Sequence, residues 1–134
     1  LARSWDLPAA MFQPRLAQHQ LPSAIAGADI CLGIFGATAK AQRVVPNKVF
    51  QALAMRQPVI TGDSPAVHEF LQPGQHLCTV PMADGTTLAE AILDLHQHVD
   101  RRNRLAQAGH ERYLEAFTPG KIGQLLLEVL HKLL

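Results

Sequence analysis

Apolar residues along this chain follow two patterns. Up to about Val80 they come as short blocks: Ala10–Phe12, Ile30–Phe35, Val59–Thr61 and His76–Val80. Three of these blocks are continuous rather than alternating, which is how parallel strands buried on both faces read. Helical patterns separate the blocks. Leu21-Pro22-Ser23-Ala24-Ile25 opens a short helix ending near Gly27. Pro46 suits the first turn of a helix, where its missing N–H costs nothing, and Val49, Phe50 and Leu53 follow at helical spacing. Ser64-Pro65 is a cap followed by a proline and starts a helix through Leu71, closed by Pro73-Gly74. From Thr87 onward the pattern changes to long amphipathic stripes. Thr87-Leu-Ala-Glu90 reads as a capping box with Leu88, Ala91, Ile92 and Leu95 behind it. Asp100 caps a second helix burying Leu105, Tyr113, Leu114 and Phe117. Thr118-Pro119 opens a third with the stripe Ile122, Leu125, Leu126, Val129, Leu130 and Leu133.

Strands alternating with helices predict an α/β fold: a three-layer, Rossmann-like parallel sheet with helices on both faces. Four strands is small for such a sheet. A sheet lacking its leading strands accounts for that, and its exposed apolar edge invites self-association. We expect one partial domain over residues 1–134, with the C-terminal helices from about residue 87.

Composition narrows the picture only modestly. The chain has 134 residues, 48% hydrophobic and 17% charged, with a formal net charge of +1. So small a charge gives no global attraction to nucleic acid, and aromatic residues do not interleave with basic ones, so stacking platforms are not expected. Cys31 and Cys78 sit in apolar strand blocks and read as buried free thiols of a reducing cytosol. No apolar run reaches the ~20 residues that span a bilayer, and the first residues lack the apolar core of a signal peptide. The expectation is a cytoplasmic protein. The 7 histidines are scattered, and His96 and His98 point to different sides of a helix, so no metal site is expected.

Charge is segregated. From Ile30 to Gly62 there is no Asp or Glu, whereas Lys40, Arg43, Lys48 and Arg56 all fall there, with Asp29 and Asp63 as bookends. The loop after Phe35 leaves the carboxyl end of a strand, where ligands bind in open α/β sheets. Gly36 permits close backbone approach and Thr38 offers a hydroxyl. The helix after Pro46 aims its free N–H groups and positive dipole end at the same place. Together these suit a diphosphate. The competing view is a solvated basic loop over an ordinary connection. The loop is longer than such a connection needs, which favours function. Neither GxGxxG nor GxxxxGK[ST] is present.

The run from Val45 to Ile60, VPNKVFQALAMRQPVI, resembles the signature of the retaining GT-B glycosyltransferases of family 4: Pro-Ser/Asn-Lys, two apolar residues, Glu, and a helix ending Ala-x-Gly-x-Pro-Val-Ile. Leu21-Pro22, Ala28-Asp29, Glu69, Gly74, Leu88-Ala89 and Phe117-Thr118 fall in order with later and earlier landmarks. The resemblance implies the C-terminal, donor-binding half of a two-domain enzyme that moves a sugar from a nucleoside diphosphate sugar to an acceptor. The acceptor site would lie on the other domain, and this fragment alone would be inactive. It implies a nucleotide-sugar site at Phe35, Gly36, Thr38, Arg43, Val45, Pro46, Asn47, Lys48 and Gln51. Lys48 would sit by the diphosphate, and the backbone of Val45 to Asn47 would cap phosphate. Gln51 stands where the family usually has a ribose-binding Glu, and keeps an acceptor without the charge. Arg43 stands where the commoner branch has a sugar-facing Glu. Arg56 replaces a helix-ending glycine, so backbone strain is expected there. No cofactor or metal is called for, since Lys48 and the helix dipole supply positive charge.

Other features have plainer readings. Arg101, Arg102 and Arg104 form a solvated face that could also meet phosphate or lipid headgroups at a membrane periphery. Asp63, Ser64 and His68 lack a nucleophile elbow, and Ser64 reads as a cap. Two other functions remain open: a non-catalytic α/β interaction module, and a fragment of a sugar-nucleotide epimerase.

Overall fold

A computed structural model describes residues 15–134 of the chain. The block Ala10–Phe12 lies outside the described residues. A 3-10 turn, Gln18–Gln20, leads into α1 (Leu21–Ala26), then β1 (Cys31–Leu32), α2 (Ala39–Gln42), α3 (Asn47–Ala54), β2 (Val59–Gly62), α4 (Pro65–Phe70), β3 (Cys78–Val80), α5 (Gly85–Gln97), α6 (Val99–Ala116) and α7 (Pro119–Leu133). The three strands are parallel, in the order β1-β2-β3, with Cys31 beside Val59 and Ile60 beside Cys78. Pairing extends past the strand limits: Gly33 N donates to Ile60 O at 2.8 Å and Gly62 N to Ile34 O at 2.8 Å.

β2 is buried at every position, which explains its unbroken apolar run. Its side chains alternate between two cores. Val59 joins Val49, Ala52 and Leu53 of α3, Val67 of α4, Leu71 and Leu77. Ile60 faces the other way, onto Val80, Leu95 of α5 and Leu105 of α6. Helices therefore cover both faces of the sheet, the expected three layers. α6 bridges the layers: Leu105 joins one core, while Tyr113 packs on the other. Its passage requires Gly109, because a Cβ there would lie 2.5 Å from His76 O and 2.7 Å from Leu53 Cδ2. His110 Nδ1 lies 2.9 Å from Leu53 O and ties α6 to the end of α3.

Caps decide the helix starts. Ser64 Oγ accepts from Val67 N, and Thr118 Oγ1 from Lys121 N, as expected. Three starts differ. Asp84, not Thr87, caps α5: its Oδ1 accepts from Thr87 N at 3.0 Å and its Oδ2 from Thr87 Oγ1 at 2.7 Å. A carboxylate takes both bonds at once, so the helix begins earlier and Glu90 plays no part in the cap. Pro46 is the N-cap of α3 rather than a first-turn residue, its ψ of 149° being extended. His98, not Asp100, precedes α6, and Asp100 sits in its first turn. His98 thus stands at the junction of α5 and α6, where it and Arg101 both reach Asp94.

Arg56 has a φ of 55°, in the left-handed region, where the expected strain falls. Arg56 N donates to Leu53 O and Gln57 N to Ala52 O, the two bonds of a Schellman ending. Leu114 is exposed, so α6 buries less than its pattern suggests. The stripe of α7 is exposed throughout, from 43% at Leu130 to 77% at Leu133.

Candidate functional site

The carboxyl ends of all three strands open on one edge. β1 runs into the loop from Gly33 to Pro46, β2 into Asp63 and Ser64, and β3 into Pro81 to Asp84. Backbone bonds clamp this edge: Asp63 N donates to Val80 O at 2.7 Å and Ala83 N to Phe35 O at 2.8 Å. The Phe35 carbonyl is thereby occupied, and its side chain packs on the Ile60 core. Gly36 is exposed, and a Cβ built on it meets nothing within 4 Å.

The loop contains a helical turn that its sequence did not announce. Thr38 caps α2, its hydroxyl accepting from Ala41 N at 3.2 Å. Arg43 closes the other end, with Nε donating to Ala39 O at 3.1 Å. Both side chains are partly engaged by α2, although the hydroxyl hydrogen of Thr38 and the outer nitrogens of Arg43 stay available. Among the described residues, Lys40, Arg43 and Lys48 form no pair with a carboxylate.

α3 follows directly. Val45 packs its side chain on the Val59 core. The Pro46 carbonyl accepts from Val49 N at 2.9 Å. No side chain caps this helix, nor α1 or α6, whereas α2, α4, α5 and α7 each have a side-chain oxygen on the third amide. The amides of Asn47 and Lys48 open α3, and such amides need an outside partner. Val49, Ala52 and Leu53 turn inward, which leaves Asn47, Lys48 and Gln51 exposed. Asn47 and Gln51, four apart, share a face and line a groove of about 420 Å³ with Phe50, Tyr113, Phe117 and Ile122. Lys48 lies on another flank. Of the expected site residues, Phe35 and Val45 are thus core anchors by side chain, Thr38 and Arg43 hold α2, and Gly36, Asn47, Lys48 and Gln51 are open to a ligand.

Asp63 and His68 meet across the turn into α4. His68 Nε2 lies 2.6 Å from Asp63 Oδ1. A carboxylate only accepts, so Nε2 carries the hydrogen. The four-residue and five-residue spacings of Ser64, His68 and Asp63 are visible in sequence, but the contact depends on the turn into α4. Elsewhere, burial pushes the Cys31 and Cys78 thiols up from their ordinary values. Among the described residues no three His, Cys, Asp or Glu side chains gather where a metal could bind, and no helix is long and apolar enough to cross a membrane.

A parallel sheet layered by helices, with a basic loop and an uncapped helix start at its carboxyl edge, defines a Rossmann-like protein. Residues 2–128 match the family described as glycosyl transferase-like, and the chain belongs to that family. No curated protein sequence matches it. Solved structures share the fold. The sucrose-phosphate synthase of Thermosynechococcus elongatus is 19% identical, with a TM-score of 0.81 over 98% of this chain and 32% of its own. HepE of Anabaena, solved in complex with UDP, is 16% identical, with a TM-score of 0.74 over 86% of this chain and 30% of its own. The C-terminal domain of a group 1 glycosyl transferase, LpcC of Francisella tularensis, is 17% identical, with a TM-score of 0.63 over 81% of this chain and 53% of its own. The chain spans about half of that last structure and about a third of the other two. The fold is that of GT-B C-terminal domains.

Proposed function

We propose that this chain is the donor-binding part of a glycosyltransferase that passes a sugar from a nucleoside diphosphate sugar to an acceptor. The observation that carries the reading is the start of α3: first-turn amides without a side-chain cap, Lys48 beside them, and an acid-free loop next to both. The diphosphate would lie there, with the backbone of Val45 to Asn47 and Gly36 against it. Thr38 and Arg43 would approach from α2, and Gln51 would accept from ribose. The positive charge offsets negative charge growing on the leaving nucleotide, so neither metal nor cofactor is required. Anabaena HepE, which shares the fold, has been solved with UDP and with UDP-glucose, which supports a donor of that class. The acceptor site would belong to a further domain, and this chain alone would not turn over. The free thiols of Cys31 and Cys78 suit a reducing cytosol.

The test is a titration of the chain with UDP, GDP and their sugar derivatives, followed by amide chemical shifts. Shifts should cluster in residues 36 to 51, and Lys48→Ala should weaken binding by about tenfold, the loss of one charge-assisted contact. No response there at millimolar nucleotide would sink the reading. The exposed stripe of α7 favours a second one, an interaction module without a nucleotide. A silent titration together with self-association in light scattering would support that reading instead.

A further inference from the structure

A sugar presents adjacent hydroxyls, and a site that distinguishes them needs strong acceptors as well as donors. The edge described above is rich in donors. Between Ile30 and Gly62 every ionised side chain is cationic. An accepting carboxylate must therefore come from another strand end. Asp84, after β3, has both oxygens committed to Thr87. Asp29 precedes β1 and lies at the opposite edge. Glu69 lies in the last turn of α4 rather than at a strand end, and shares a groove with His68, Gln72, Gln75 and Arg112.

Asp63 remains. It follows Gly62 directly, and that glycine's amide is bonded to Ile34 O. Neighbouring strands lie about 4.8 Å apart, so Asp63 leaves β2 at the same edge as the end of β1, where Ala83 N takes the Phe35 carbonyl and the space beyond Gly36 is open. Its amide is pinned to Val80 O, and its side chain is half exposed. His68 holds Oδ1, and among the described residues Oδ2 has no partner.

We infer that Asp63, oriented by His68, reads the hydroxyls of the donor's sugar. Oδ2 accepts from a hydroxyl while His68 fixes the carboxylate rotamer, acting as a positioning residue. This rests on the donor-site reading above and adds to it the part of the site that recognises the sugar.

The experiment measures two affinities, for a nucleoside diphosphate and for its sugar derivative, using UDP with UDP-glucose, UDP-galactose and UDP-N-acetylglucosamine, and GDP with GDP-mannose. For the wild-type chain the preferred sugar nucleotide should bind more tightly than the bare diphosphate. Asp63→Asn should remove about tenfold of the sugar nucleotide's affinity and leave the diphosphate's unchanged. His68→Gln should cost about threefold on the same ratio, whereas Glu69→Gln should leave it alone. Damage to folding would weaken both ligands together, which separates it from lost sugar recognition. Deoxy-sugar nucleotides give a readout without mutation: removing the recognised hydroxyl should cost the wild type as much as Asp63→Asn does, and cost the variant nothing further. An unchanged ratio in Asp63→Asn, or a wild type that binds diphosphate but gains nothing from any sugar, overturns the inference while leaving the donor site standing. Failure of the wild type to bind any nucleotide overturns both.

Discussion

Arg56 holds a backbone conformation that a side chain resists. An L-residue in the left-handed region costs about 1–2 kcal/mol, and glycine avoids that while losing about 0.5–1 kcal/mol of unfolded-state entropy. The first effect is larger. Arg56→Gly should therefore stabilise the chain by about 0.5–1 kcal/mol, read as a higher denaturation midpoint with an unchanged slope; a lower midpoint would mean that the Arg56 side chain contributes more than its exposure suggests. Two other glycines separate structure from function. A Cβ at Gly109 would overlap His76 O and Leu53 Cδ2, so Gly109→Ala should destabilise by about 1–3 kcal/mol. A Cβ at Gly36 meets no protein atom, so Gly36→Ala should leave stability within about 0.5 kcal/mol. If the loop cradles a diphosphate, the same change should still weaken nucleotide binding, and a variant impaired in neither respect would argue against contact at Gly36.

The start of α5 has a consequence for pH. The backbone and hydroxyl of Thr87 hold the Asp84 carboxyl below its ordinary value. A lowered folded pKa stabilises the protein above the unfolded value, and that contribution disappears as pH falls through the folded value. Asp84→Ala should melt below wild type near neutral pH, and the two melting temperatures should converge below about pH 4. A gap that persists in acid would show that the cap does not act through its charge. This element also shows what the sequence could convey. Ser64-Pro65 and Thr118-Pro119 were legible because cap and proline are adjacent and unrivalled. Asp84 and Thr87 compete within one turn, and residue types alone do not say which oxygen wins. α2 was illegible because a four-residue helix has no stripe to read. The side of the sheet taken by each helix was hidden too, since β2 is apolar on both faces. At the site, charge and spacing exposed the loop and α3, whereas the Asp63–His68 contact depends on how the chain turns after Gly62. The α7 stripe announced an amphipathic helix but carried no information about what covers it.

At the scale of the molecule, a net charge of +1 conceals a strong local imbalance. Acids crowd the helices after β3 and the turn into α4, while the stretch from Ile30 to Gly62 carries only cations. A diphosphate approaching the carboxyl edge would therefore meet positive groups that form no ion pair with a carboxylate among the described residues. Lys40, Arg43 and Lys48 are exposed, so salt should screen them. Raising ionic strength from about 0.01 M to about 0.15 M shortens the Debye length from about 30 Å to about 8 Å. Attraction from Lys40 and Arg43 should fade over that range, while contacts made at the α3 amides persist because they act at hydrogen-bond distance. UDP affinity should accordingly fall several-fold and then level off rather than vanish. Lys48→Ala should show a shallower dependence, having one fewer charge to screen. Affinity independent of salt would mean that the cations are bystanders and that the α3 backbone alone holds the anion. Affinity that collapses without a plateau would mean the reverse, a diffuse basic surface with no seated diphosphate.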